Sequence, residues 1–100
     1  MFARLHVVLS SEKEEDIQEV KHKLLAINKD FSMSPSRDYS LLKDHSEFYV
    51  TCEAEENDIQ SLLNQLNNDW DGEIDSCSCY GFNTKMFHPL VYCLDFDVFE

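Results

Sequence analysis

One hundred residues make one domain, and 43% hydrophobic residues with seven Phe give it enough apolar surface for a single core, which excludes a disordered acidic tail. The formal charge is −12, a field that repels nucleic acid and anionic membrane and speeds encounter with a basic protein. The charge is also segregated: residues 1–43 hold 7 acidic and 7 basic side chains, whereas residues 44–100 hold 13 acidic and only Lys85.

In chain order, Leu5, Val7 and Leu9 alternate with Arg4 and His6, the period of a strand with one buried face, over residues 2–9. The N-terminus has an apolar run too short for a signal peptide, and no stretch is long enough to span a membrane, so a cytoplasmic location is expected, with reduced thiols at Cys52, Cys77, Cys79 and Cys93. Ser11 and Glu14 have the spacing of a capping box. Ile17, Val20, Leu24 and Ile27 then follow at helical spacing, predicting a helix over 12–29. Pro35 closes a small-residue connection. Tyr39 to Lys43 reads as a strand, Asp44-His45 as a turn, and Glu47 to Ala54 as a strand with Phe48, Val50, Cys52 and Ala54 on the buried side.

Glu55 to Asp58 crowd a second helix start, and Ile59, Leu62, Leu63, Leu66 and Trp70 continue at helical spacing to a stop at Gly72. Ile74 to Phe82 alternates as a strand, Asn83-Thr84 reads as a turn, and Leu90, Tyr92, Leu94, Phe96 and Val98 form the apolar side of a last strand, with Asp95 and Asp97 opposite. The whole chain, 1–100, is read as a single acidic α+β domain. Its expected core is a ferredoxin-like split βαβ, β-α-β-β-α-β plus an extra C-terminal strand, with two helices on one face of an antiparallel sheet.

Few constellations carry chemistry. Cys77, Cys79, Cys93 and His88 are zinc-ligand types, but a Cys-x-Cys on a strand lacks the paired knuckles of a structural site, and buried thiols acting as small apolar residues are the favoured reading. Asp69, Asp71, Glu73 and Asp75 alternate like the opening of a calcium loop, yet the twelfth position is Tyr80 and not Glu. The four thiols and His6, His22, His45 and His88 form no recognisable nucleophile and base pair. No metal, no cofactor and no enzymatic activity are therefore expected. The loop after the first strand, Ser10-Ser11, lacks the glycine or arginine of a phosphate or amino-acid site, and Glu47 to Glu53 has acid where an RNA-recognition strand has base.

In size, charge and fold pattern the chain resembles the immunity proteins of bacterial polymorphic or contact-dependent toxin systems; the resemblance covers the whole chain and involves no fixed motif. It implies a basic partner, the C-terminal nuclease toxin domain of a secreted protein, bound so that nucleic acid cannot reach its site. The expected charged contacts are Asp69, Asp71, Glu73, Asp75, Asp95 and Asp97. Tyr49, Trp70 and Tyr92 are the expected anchors, although the core under the second helix is the favoured place for Trp70. Two alternatives stay open: a DNA mimic that occupies a DNA-binding protein, and a small-ligand or metal-binding regulatory domain.

Overall fold

A computed structural model describes residues 1–81 and 85–99; the readings of Phe82 and of the Asn83-Thr84 turn lie outside the described residues. The order of elements is β1 (Phe2–Leu9), α1 (Glu14–Ile27), β2 (Ser32–Met33), β3 (Arg37–Asp38), β4 (Ser46–Glu53), α2 (Glu56–Leu66), β5 (Asp71–Glu73), β6 (Ser76–Tyr80) and β7 (Val91–Phe99). Among the described residues the strands form one antiparallel sheet of seven, in the order β2-β4-β1-β7-β6-β5, with β3 pairing on β4 beyond β2. No helix of the described residues is long and apolar enough to cross a membrane.

Period-two alternation gives the sheet its two faces. Ala3, Leu5, Val7 and Leu9 from β1 share one face with Phe48, Val50 and Cys52 from β4, Phe96 and Leu94 from β7, and Cys77 and Cys79 from β6. Ile17, Val20 and Leu24 of α1 and Ile59, Leu62, Leu63 and Leu66 of α2 complete the same core. Both helices therefore cover one face of the sheet. The largest buried side chains, Phe48 and Phe96, stand on the neighbours of β1, each contributing roughly 1.5–3 kcal/mol by leaving water.

The α+β class and the two helices on an antiparallel sheet are as expected, but the strand order differs from the ferredoxin-like scheme. In that scheme the strand following the second helix lies beside the first. Here the C-terminal β7 takes that place, and the β5–β6 hairpin lies outside it. Length and side-chain volume decide the exchange. The nine-residue β7 pairs along the whole of β1 and puts Leu94 and Phe96 at the centre of the core, whereas the five-residue β6 offers only Cys77 and Cys79.

Four local readings are corrected. Lys13 is still extended at the start of α1, so Glu14 opens the helix and cannot close a capping box; Ser11 Oγ instead accepts the Lys13 N–H at 3.1 Å and donates to Asp16 Oδ2 at 2.6 Å. Tyr39 to Lys43 is a loop after the two-residue β3, closed by Tyr39 N–H to His45 O at 2.9 Å and turned by Asp44 at φ 63°. The second helix ends at Leu66, six residues before Gly72. The Asn67 side-chain oxygen takes the Asn68 and Asp69 amides, and the Trp70 indole N–H donates to Leu63 O at 2.9 Å and Asn67 O at 3.0 Å. Gly72 lies instead in β5 at φ 118°, where a Cβ would meet Ser76 O at 2.6 Å.

Candidate functional site

The face of the sheet away from the helices is built from rows that cross the strands. One row reads Tyr49, His6, Asp95, Ser78, Asp71 from β4 to β5, and the next reads Thr51, Arg4, Asp97, Ser76, Glu73. Neighbouring strands stand about 4.8 Å apart, so these ten side chains form a contiguous surface. Acidic side chains gather on the β7–β5 half, with two serines and no cation among them. Asp71, Ser76, Ser78, Asp95 and Asp97 line a depression of about 280 Å³.

The β4–β1 half carries Arg4 and His6, with Arg37 beside them on β3, and each is engaged. His6 Nε2 lies 2.7 Å from Glu47 Oε1, its Nδ1 lies 3.4 Å from Asp95 Oδ2, and its ring stacks on Tyr49 with centroids 4.7 Å apart. Arg37 Nε donates to the other oxygen of Glu47 at 3.0 Å. Burial pushes the Glu47 carboxyl up, but the hydrogen bonds from His6 and Arg37 outweigh it and hold the group below the usual range. Arg4 lies over the rings of Tyr49 and Phe99 at 5.4 and 5.1 Å and reaches Asp97 at 3.9 Å. Tyr39 leans over the same node, 6.1 Å from His6, and its phenol is pushed up by burial and by Cys93, Asp95 and Glu47.

Of the residues expected to meet a partner, Asp71, Glu73, Asp95, Asp97 and Tyr49 come together on this face. Asp75 sits in the two-residue turn between β5 and β6, and Asp69 is exposed just beyond α2, off the sheet. Tyr92 was expected on the apolar side of the last strand; an irregularity opposite Val8 and Leu9 removes it from that register and sets it against Tyr80 and His45, with ring centroids 6.3 and 5.2 Å away. Trp70 is turned inward, its N–H committed to α2 and its ring 6.3 Å from Phe96, so the core accounts for it and an anchor role does not.

Sequence reasoning missed His6, Arg4 and Glu47 as parts of the face. Alternation already placed Arg4 and His6 opposite the apolar side of β1, but it carried no sign of what lies across the strands.

Three of the four thiols belong to the core under the helices. Cys52, Cys77 and Cys79 are buried under the helices, and Cys93 is buried on the opposite side of the sheet. Burial, with nearby negative charge, pushes Cys77 and Cys93 up to about 11 and Cys79 to about 12, so the thiolate needed for attack or metal binding is disfavoured. His88 is occupied by the Leu90 N–H at 3.1 Å and by Glu19 at 3.5 Å. Among the described residues no three His, Cys, Asp or Glu side chains are grouped to hold a metal ion. The face sets carboxylates beside aromatic rings on neighbouring strands. No protein-family model, curated protein or solved structure matches the chain.

Proposed function

We propose that this protein is a binding inhibitor of the immunity type, which neutralises a basic nuclease toxin domain by covering the cations that the toxin uses to hold phosphate. One observation carries the reading: the uncovered face of the sheet is divided, with Arg4, His6 and Arg37 engaged on one half, the first two by Asp97 and Asp95 at the seam, and with Asp71 and Glu73 beyond them on the other half in no ion pair with a described residue. A carboxylate array held by β-strands is preorganised, so a nuclease groove rich in Lys and Arg meets it with little ordering cost. Tyr49 and Tyr92 supply aromatic surface at the margin. The same charge disfavours direct contact with nucleic acid.

The test is calorimetric titration of the protein with the toxin domain encoded beside its gene, at low and high salt, together with the toxin's nuclease activity. Nanomolar binding that weakens with salt and abolishes nuclease activity is expected. Asp71→Lys with Asp95→Lys, two substitutions in one row at exposed positions, should weaken binding by about tenfold to a hundredfold while leaving the fold intact. Unchanged affinity in that variant overturns this placement of the interface. Displacement of duplex DNA from several unrelated basic proteins would replace the immunity reading with the DNA mimic.

A further inference from the structure

The acidic half of the face does not end at the sheet. On β5, Asp71 opens onto the depression described above, while Glu73, two residues on, lines a separate cleft of about 670 Å³ between the start of α2 and the β5–β6 turn. That volume lies within the roughly 300–1,000 Å³ typical of ligand clefts. Its lining combines the apolar Ile59, Ile74 and Val98 with Met1 and with the carboxylates Glu56, Glu73 and Asp75. No Lys or Arg lines it, and none of the three carboxylates forms an ion pair with a described cation, the Met1 amine included.

Local structure explains only part of this composition. Glu56 opens α2, where a carboxylate offsets the positive end of the helix. Glu73 and Asp75 have no such role, and neither side chain accepts a hydrogen bond from a described residue. Ile74 is harder to account for by folding alone. It sits at the tip of a two-residue turn, where small polar residues are usual, and it is 48% exposed. The turn is nevertheless pinned, because the Val98 N–H donates to Asp75 O at 2.9 Å, so the wall of the cleft is fixed before anything enters.

We infer that this cleft takes one arginine side chain projecting from the basic partner, an inference that rests on the reading of the acidic face as an interface. The arginine stem is apolar along its methylenes and would cover Ile59, Ile74 and Val98. Its guanidinium carries five N–H donors, enough to serve three carboxylates spread around the cleft, which the compact lysine ammonium does less well. The partner then reaches around the β5 edge, with one side chain anchored in the cleft and its remaining cations over Asp71, Asp95 and Asp97.

The inference can be tested without the partner. Titrating the isotope-labelled protein with the peptide acetyl-Gly-Arg-Gly-amide should shift the backbone amide resonances of Ile59, Ile74, Asp75 and Val98. The citrulline peptide, equal in shape and neutral, should bind roughly fivefold or more weakly, and the lysine peptide should fall between. Glu73→Gln with Asp75→Asn should remove the preference for charge, and Ile74→Ser should weaken both peptides; all three positions are exposed, so the fold is retained. The inference is overturned by no shifts at millimolar peptide, by equal binding of citrulline, or by shifts spread equally over the acidic residues Asp30, Glu53 and Asp58 across α2. Loss of the cleft with the Asp71 and Asp95 dependence intact would leave the interface reading standing; a cleft that binds arginine with no toxin binding would do the reverse.

Discussion

Glu47 illustrates how a single side chain ties the sheet together. It is 8% exposed, yet it lies on the side away from the helices, and what allows its burial is the pair of hydrogen bonds from His6 on β1 and Arg37 on β3. Replacing it with Gln keeps the shape but loses the charge-assisted bonds, at a cost of about 1–3 kcal/mol at neutral pH, measurable as a lower urea midpoint with an unchanged slope. The pH dependence follows from its direction of shift. Because the carboxyl is held below its ordinary 4.5 in the folded chain, its contribution is complete above that value and is lost as pH falls through the lower, folded-state pKa. The Glu47→Gln protein should therefore lose less stability between neutral pH and the acid range than the parent; an equal loss would show that the carboxylate is not the group responsible. Its partners stand 41 and 10 residues away in the chain, which is why the sequence shows only an acid at a strand start.

The end of α2 and the hairpin after it show how an element is stopped. Helical spacing of Leu62, Leu66 and Trp70 points to a helix reaching Gly72, and the spacing is real, but the indole serves as a cap in place of another helical turn. Phe87 N–H adds to this by donating to Leu66 O at 2.8 Å. Trp70→Phe should keep the ring contact with Phe96 and remove both indole hydrogen bonds, lowering stability by about 1 kcal/mol in chemical denaturation. Gly72→Ala is the sharper change. At φ 118° an L-residue is strained, and its Cβ would lie 2.6 Å from Ser76 O, so a loss of about 1–3 kcal/mol is expected, read as a lower thermal midpoint. A midpoint equal to the parent's would mean that β5 forms differently. Glycine at this position was visible in the sequence as a breaker; whether it broke a helix or shaped a hairpin depended on contacts with Ser76.

Across the whole molecule, the charge of −12 is a burden on the folded state. Glu73, Asp71, Asp97 and Asp95 lie together on one half of a sheet face, and folding brings them closer than the extended chain does. Raising sodium chloride from about 0.01 M to about 0.3 M shortens the screening length several-fold and should raise the thermal midpoint by a few degrees. A fall in the midpoint would indicate that attractive pairs such as Arg4–Asp97 outweigh the repulsion.

By itself the sequence determined the secondary-structure class of the long elements and, Tyr92 at the irregularity of β7 apart, the inward side of each, because period two and period 3.6 are properties of neighbouring residues and show in any window of ten. It also determined the sign of the chain's own charge, since the excess of carboxylates after residue 43 does not depend on how the chain folds. Tertiary structure alone decided that β7 and not β6 lies beside β1, that Asp95 and Asp71 share a row, and that Ile74 joins Ile59 and Val98 around a cleft. Each of these is a contact between residues far apart in the chain, settled by which strand could bury the most apolar volume against β1, and no local pattern records that competition.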